Sequence, residues 1–247
     1  MPPLITLLTD FGTADSYVGE VKAAIVAQAF GSQLIDITHH IPPGDVRAGQ
    51  YILSRVWERF PRGAVHIVVV DPGVGTARRA LAAEATGHYF VAPDNGLLSC
   101  LPENAKFVEL PIPPEASPTF HARDVFAPAA AKIANGTALT HLGLTITDPL
   151  RLPLPVPHHD GTTVVGEVIY VDRFGTLVTN IPGELVEPGV RIKVADMDAG
   201  ALLRTFGDVA RGKVLAYVGS AGSVEVAVRE GSAARLLGAG VGAEVRA

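Results

Sequence analysis

The chain has 247 residues, of which 48% are hydrophobic and 18% are charged, and its formal net charge at pH 7 is −5. This composition is typical of a folded globular protein with one large domain or two modest ones, and it excludes a disordered chain. The acidic balance, without any cluster of Lys and Arg, argues against nucleic acid or an anionic membrane as the main partner.

The N-terminal sequence does not resemble a targeting or membrane segment. MPPLITLLTDFG has no basic region, and its apolar run is too short to span a bilayer. The single cysteine, Cys100, excludes an intrachain disulfide and a multi-cysteine metal site. We therefore expect a soluble, cytoplasmic protein.

The first two-thirds of the chain alternate strand-like and helix-like segments. This alternation, with strands rich in Val, Ile and Leu, predicts an α/β domain whose mainly parallel sheet is covered on both faces. A later helix is predicted over Arg123–Gly136, with Asp124 as its N-cap and Asn135-Gly136 at its end. The segments that carry this prediction are LITLLTD, SYVGEVKAAIVAQAFG, QLIDITH, DVRAGQYILSRVWERF, AVHIVVVD and HYFVAPDNGLLSCL.

The texture of the sequence changes after about residue 150. DPLRLPLPVPHHDGT is rich in proline and reads as a semi-rigid linker. Beyond it the helical pattern disappears, and TVVGEVIYVDRFGTLVTNI predicts a hairpin around Asp172–Gly175. We therefore predict an α/β domain at residues 1–152, a linker at 153–161 and a small β-barrel domain at 162–247.

Three acids share one sequence context. Asp10, Asp71 and Asp172 each follow an apolar strand and precede a glycine within four residues. Ligands of open α/β sheets bind outside the carboxyl ends of strands, so Asp10 and Asp71 are expected to face one crevice. The alternative is that such acids only cap turns or helix starts.

Other common motifs fit less well. The stretch from Asp71 to Arg78 lacks the third glycine of a dinucleotide-binding loop, and no Gly-x-Ser-x-Gly elbow occurs. The two His-His pairs lack zinc-site spacing. His121 precedes a predicted helix, where the helix dipole disfavours imidazolium, so a neutral ring there could orient or relay a proton. It could equally be a loop histidine that only packs.

Six blocks occur in order from about Leu4 to the C-terminus: TDFGTADSYVG, VVDPGVGTARR, APDNGLL, PTFHARDVFAPAAA, YVDRFGTLVTNI and GSAGSVEVAVREGSAA. Together they resemble one family. This is the S-adenosylmethionine hydroxide adenosyltransferase family, the water-using relatives of the fluorinating and chlorinating adenosyltransferases. The resemblance implies an α/β domain followed by a small β-barrel, and a homotrimer that binds substrate between subunits.

The resemblance also assigns roles to individual residues. An Asp-Arg-His trio typical of the water-using members matches Asp71, Arg78 and His121, whereas halogenating relatives carry Tyr at the Asp and His positions. Asp10 matches the acid that holds the ribose hydroxyls. The resemblance also implies further residues that contact the substrate, at the ribose, the methionine part and the adenine. They are Asp15 and Ser16 in the loop beside the ribose, and Asp172, Thr176, Ser220, Arg229 and Glu230.

Four positions depart from the pattern of the family. Thr176 and Arg229 stand where relatives usually have Asn, and Ala221 stands where halogenating relatives have Arg. Gly44 replaces an aromatic residue seen in those relatives. These departures bear on the adenine and methionine contacts and leave the trio intact.

The function implied by the resemblance is hydrolysis of S-adenosyl-L-methionine to adenosine and L-methionine. Water would attack the 5′ carbon in line with the departing sulfur, with Asp71 orienting the water or accepting its proton. Arg78 would keep Asp71 ionised and aligned, and His121 would hold the water from a second side or pass its proton on. The reaction needs no metal or redox cofactor. The alternatives are a halide-dependent adenosyltransferase and a non-catalytic sensor of an adenosyl ligand.

Overall fold

A computed structural model of the protein describes residues 2–247. The chain divides into two units, one ending at Pro153 and one spanning Leu154–Ala247. Each unit has a hydrophobic core of its own. The division falls inside the proline-rich segment that begins at Pro149. No helix among residues 2–247 is long and apolar enough to cross a bilayer.

The first unit is built on a seven-stranded sheet with the order β2-β1-β3-β5-β4-β6-β7. The first four strands in that order pair in parallel, and the other three continue the sheet antiparallel. The α/β fold class is therefore confirmed, with an antiparallel extension on one side. The strands are β1 (Leu4–Thr9), β2 (Gln33–Thr38), β3 (Val65–Val69), β4 (Ala80–Ala85), β5 (His88–Pro93), β6 (Lys106–Leu110) and β7 (Leu144–Ile146).

Three helices pack on this sheet: α1 (Tyr17–Gln28), α2 (Val46–Val56) and α3 (Ala127–Ala134). Ile5 and Leu7 of β1 lie in the same core cluster as residues of α1 and α3. Leu8 of β1 lies instead beside Gly49 of α2. Because successive side chains of a strand point to opposite faces, helices cover both faces of the sheet.

The helix that contains α3 begins earlier than the sequence predicts. A π-helical turn over Ala122–Phe126 comes directly after His121 and leads into α3. The predicted N-cap at Asp124 is therefore wrong, because Asp124 lies inside this turn and its carboxylate accepts the N–H of Ser117 at 2.8 Å. The predicted end is confirmed, since Asn135 is the C-cap and Gly136 has φ of +90°.

The second unit is a closed barrel of seven strands, with an eighth strand, β8, paired to the outside of β9. The predicted hairpin is confirmed, because Gly175 donates its N–H to the carbonyl of Asp172 at 2.9 Å and has φ of +82°. A short helix, α4 (Ala233–Leu237), packs beside β14. The strands are β8 (His158–Asp160), β9 (Thr163–Val171), β10 (Leu177–Pro182), β11 (Arg191–Val194), β12 (Met197–Leu203), β13 (Val214–Val218), β14 (Ser223–Val228) and β15 (Glu244–Arg246).

Candidate active site

Asp71, Arg78 and His121 meet in the first unit at the carboxyl end of β3. The Nε of Arg78 donates to Asp71 Oδ1 at 3.0 Å, and its Nη2 contacts the second carboxylate oxygen. The same Nη2 lies 2.9 Å from Nδ1 of His121. The side chains of Asp71 and Arg78 are only 6% and 9% exposed. The structure thus brings together three residues separated by up to 50 positions in the chain.

The loop between Asp71 and Arg78 requires glycine at one of its two glycine positions. Gly75 has φ of +77°, and a Cβ at this position would lie 2.5 Å from the carbonyl oxygen of Pro118. Only glycine therefore permits the loop to approach the segment that leads to His121. Thr76 stabilises the turn by donating its hydroxyl to the carbonyl of Gly73 at 2.7 Å.

The protonation of His121 follows from its contact with Arg78. A guanidinium can only donate hydrogen bonds, so Nδ1 of His121 accepts and the proton of the neutral ring is on Nε2. Burial lowers the pKa of His121 below its ordinary value, and the charge of Arg78 lowers it further, against opposing effects of Asp71 and Asp124. The ring is therefore neutral at pH 7, because burial and the neighbouring guanidinium both disfavour its charged form.

A cavity of about 180 Å³ adjoins the trio. Asp71 and His121 line it together with Asp10, which follows the neighbouring strand β1. The Oδ2 of Asp10 accepts the N–H of Gly44 at 2.8 Å, and this bond orients the carboxylate. Two acids and a neutral imidazole therefore share one small concave site, as in many binding and catalytic sites.

Aromatic residues that the sequence analysis did not select lie at the same site. Phe11 and Phe120 line the cavity, and Tyr17 packs edge-on against both rings at centroid distances of 6.2 and 5.5 Å. The ring of Phe126 lies 5.5 Å from the guanidinium of Arg78, at a cation–π distance. The available signal was adjacency in sequence, because Phe11 follows Asp10 and Phe120 precedes His121.

The predicted contacts Asp15 and Ser16 lie in the loop before α1 and are exposed. The hydroxyl of Ser16 donates to Oε1 of Glu20 at 2.7 Å, so it is engaged within the helix start. Neither residue lines the cavity next to the trio.

The remaining predicted contacts belong to the second unit. Asp172 accepts the N–H groups of Phe174 and Thr176 at 2.9 and 2.8 Å, so it caps the turn between β9 and β10. Arg229 donates to the carbonyl of Val209 at 2.7 Å. Glu230 has a positive φ of +59°.

Two further residues of the barrel lie in β13 or shortly after it. Ser220 is exposed in the turn between β13 and β14. Tyr217, which the sequence analysis did not select, donates its hydroxyl to Glu225 at 2.7 Å. Burial, and then this hydrogen bond, raise the pKa of Tyr217, so its hydroxyl stays protonated and keeps its hydrogen bond to Glu225.

Two domain profiles match the chain. Residues 5–143 match the SAM hydroxide adenosyltransferase N-terminal domain, and residues 166–246 match the C-terminal domain of the same family. The chain is similar to a curated relative from Salinispora tropica named (R)-S-adenosyl-L-methionine hydrolase. The two are 41% identical over 256 residues, which cover 99% of this chain and 97% of that protein.

The chain is also similar to a solved structure and to a halogenating enzyme. A conserved protein of Thermotoga maritima superposes with a TM-score of 0.91 at 37% identity, covering 98% of both chains. A fluorinase of an Actinoplanes species is 29% identical over 213 residues, which cover 72% of each chain. The profiles span most of the sequence, and the chain belongs to the SAM hydroxide adenosyltransferase family.

Proposed function

We propose that this protein hydrolyses S-adenosyl-L-methionine to adenosine and L-methionine. The observation that carries the proposal is the contact of Asp71 and His121 with one arginine, Arg78, at the wall of a small cavity. The full-length relative named as a hydrolase of the (R) form supports the same reaction, and we propose the same sulfonium configuration for the substrate here.

The chemistry requires activation of water rather than of the leaving group. Water attacks the 5′ carbon, the C5′–S bond breaks, and its electron pair returns to sulfur, giving a neutral thioether. A neutral thioether is a good leaving group, so no general acid is needed. The attacking oxygen loses one proton, which Asp71 takes and passes to solvent.

The geometry of the trio suits this task. Arg78 binds both oxygens of Asp71 and so fixes the plane of the carboxylate, which keeps further lone pairs to accept a hydrogen from water. The Nε2–H of neutral His121 can donate to the oxygen of the same water. An acceptor and a donor would then hold the water and leave one lone pair for attack.

The typical magnitudes of base catalysis and of positioning indicate how much these groups contribute to the rate. A positioned base is worth roughly 10²- to 10⁴-fold. Fixing the water and the carbon in a reactive geometry can remove about 7–11 kcal/mol of the barrier. Positioning is therefore the larger contribution, which agrees with a carboxylate that an arginine holds at both oxygens.

The charge on the substrate restricts where Asp71 can act. The positive charge of sulfur disappears in the transition state, so a carboxylate beside sulfur would stabilise the ground state and slow the reaction. We therefore place Asp71 behind the 5′ carbon, opposite sulfur. A complex in which Asp71 contacts the sulfonium would overturn this assignment.

Residues outside the trio would bind the ribose, the methionine part and the adenine of the substrate. Asp10 would bind both ribose hydroxyls, since one carboxylate can accept from two adjacent hydroxyl groups, and it lines the same cavity as the trio. The methionine and adenine parts would be bound by residues of the second unit. We propose that the protein works as a cytoplasmic homotrimer with its sites between subunits. The residues proposed for these parts are Asp172, Thr176, Ser220, Arg229 and Glu230, with Asp15 and Ser16 beside the ribose.

The test is chromatography of the products after incubation with each sulfonium epimer, with and without chloride. We expect adenosine and methionine at equal rates from the (R) epimer, with no effect of chloride. A 5′-chloro product would move the protein to the halogenating branch, to which the fluorinase relative belongs. Saturable binding without turnover would overturn hydrolysis in favour of a sensor.

A further inference from the structure

One buried histidine of the first unit lies close to the cavity but outside the trio. His39 follows the end of β2 and is 4% exposed. Its Nδ1 is 2.8 Å from the hydroxyl of Thr9, the last residue of β1, which directly precedes Asp10. Thr9 is 1% exposed, so its hydroxyl has no route to solvent and serves an internal contact.

The hydroxyl of Thr9 joins this histidine to the loop that carries Asp10. It accepts the N–H of Phe11 at 3.3 Å, and it shares a hydrogen bond with Nδ1 of His39. The carbonyl of His39 in turn accepts the N–H of Gly12 at 2.7 Å. The turn over residues 10–12 is therefore attached to His39 on both sides of Asp10.

The other side of the imidazole faces a surface carboxylate. Nε2 of His39 lies 3.1 Å from Oδ1 of Asp36, a close contact that is not aligned as a hydrogen bond. Asp36 is itself paired with Lys22 at 2.6 Å. A row of contacts thus runs from Lys22 on the surface, through a buried ring, to the backbone beside the cavity.

The segment after His39 also reaches Asp10 from the other direction. Ile41 donates its N–H to the carbonyl of Thr9 at 3.4 Å, and Gly44 donates to Oδ2 of Asp10 at 2.8 Å. A shift of His39 would therefore move both the backbone of the Asp10 turn and the group that orients its carboxylate.

We infer that His39 is a positioning residue for substrate binding, which holds the Asp10 turn so that the carboxylate of Asp10 meets the ribose hydroxyls. This inference rests on the proposed function for the ribose-binding role of Asp10. It requires that His39 act through Thr9, and that its effect depend on the hydroxyl groups of the ligand.

The experiment measures binding of adenosine and of 2′,3′-dideoxyadenosine to the full chain by calorimetry. His39→Leu removes both ring nitrogens. We expect adenosine to bind about tenfold more weakly, because the carboxylate of Asp10 is then misplaced as a hydrogen-bond acceptor for the ribose hydroxyls. The affinity for dideoxyadenosine should not change, because it lacks these hydroxyls. His39→Asn keeps a polar atom near the position of Nδ1 and should restore most of the preference for adenosine. His40→Leu, at the exposed neighbouring histidine, is the matched control.

A purely structural role would give a different result. Equal weakening of both ligands by His39→Leu, or an unchanged ratio of the two affinities with a lower melting temperature, would overturn the inference. If His39→Leu does not fold, Thr9→Val removes the hydroxyl at nearly constant volume and should give the same selective loss, whereas Thr9→Ser should not.

The outcome also separates this inference from the proposed function. If the wild-type protein hydrolyses S-adenosylmethionine while His39→Leu and Thr9→Val keep the full preference for adenosine, only the positioning role of His39 fails. If the wild-type protein does not distinguish the two nucleosides, the ribose role of Asp10 fails and the inference fails with it. Absence of turnover by a protein that still shows the expected selectivity would count against hydrolysis alone.

Discussion

At the scale of single residues, Arg78 determines what its two partners can do. Because a guanidinium only donates hydrogen bonds, Asp71 must accept at both oxygens and His121 must accept at Nδ1. The atoms left to face the cavity therefore differ in kind. Asp71 can offer a further acceptor, and His121 offers the Nε2–H donor; under the proposed function this pair orients the attacking water.

Replacement of Asp71 by Asn tests this division of roles. The amide would remove the proton acceptor and place an NH₂ group against the donors of Arg78. We expect turnover to fall roughly 10²- to 10⁴-fold, with little change in the affinity for adenosine. The measurements are single-turnover rates by chromatography and nucleoside binding by calorimetry.

This variant also needs a check of folding. Arg78 would lose its carboxylate partner in a nearly buried place, so Asp71→Asn should melt at a lower temperature than the wild-type protein. Rates are therefore compared well below both melting temperatures. Turnover at the wild-type rate under those conditions would show that Asp71 neither orients nor deprotonates the water.

At the scale of elements, the sequence predicts the parallel strands of the first unit well and the antiparallel strands of that unit poorly. LITLLTD and AVHIVVVD, rich in apolar residues, predict β1 and β3 and the acids at their ends. The strand ALAAEA of β4 was not predicted, because alanine has a low preference for strands, and pairing with β5 and β6 on either side determines its structure instead.

The candidate site shows the same limit. Strand-end position predicts that Asp10 and Asp71 share a crevice, and the structure places both in the wall of one cavity. No local pattern indicates the contact of Arg78 with His121 across 43 positions, which the family resemblance alone suggested. The π-helical turn before α3 also has no clear local signal in the sequence.

The two adjacent arginines of the loop before β4 serve different elements. Whereas Arg78 belongs to the trio, Arg79 donates to Asp94 after β5 at 2.7 Å and to Asp148 after β7 at 2.8 Å. The side chain of Asp94 is 6% exposed and that of Asp148 is 76% exposed. Arg79 therefore fixes the strand ends around the site, mainly through the buried acid.

We expect Arg79→Ala to destabilise the first unit by on the order of 2 kcal/mol, because it leaves the buried Asp94 without its cation. Catalytic rate per folded molecule should change little, since only the backbone carbonyl of Arg79, which the substitution keeps, contacts the trio, accepting from Nη1 of Arg78 at 3.4 Å. Asp148→Ala is the control and should leave the melting temperature almost unchanged, because that acid is exposed. Equal loss from both variants would contradict the assignment of the stabilising role to Asp94.

At the scale of the whole molecule, the first unit carries buried histidines whose titration links folding to pH. His66 in β3 is fully buried, with Nδ1 2.7 Å from the hydroxyl of Thr6 and Nε2 3.3 Å from Nδ1 of His88. Burial, and to a lesser degree the charge of His88, lower the pKa of His66 from 6.5 to about 3. The folded state therefore keeps His66 neutral over a pH range in which the unfolded chain protonates it.

Because only the unfolded chain protonates His66 in this range, the free energy of unfolding decreases as pH falls. Above pH 6.5 neither state binds the proton, and the contribution of His66 to stability is complete. As pH falls from 6.5 towards 3, the unfolded chain binds one more proton, and the free energy of unfolding falls by about 1.4 kcal/mol per pH unit. At pH 5 the loss from this residue is about 2 kcal/mol relative to neutral pH.

Urea unfolding of the wild-type protein and of His66→Asn at pH 7.5 and pH 5 measures this loss. Asn keeps a polar partner for Thr6 but does not titrate, so the decrease in stability between the two pH values should be about 2 kcal/mol smaller in the variant. The single tryptophan, Trp57, packs on His88 at a ring distance of 5.3 Å, so its fluorescence reports the unfolding of the first unit in particular. The same pH dependence in both proteins would mean that His66 is protonated to the same extent in the folded and unfolded states. The burial of His66 between β1 and β5 would then not be linked to acid sensitivity. Carboxylates or other histidines of the chain would have to explain any loss of stability at pH 5.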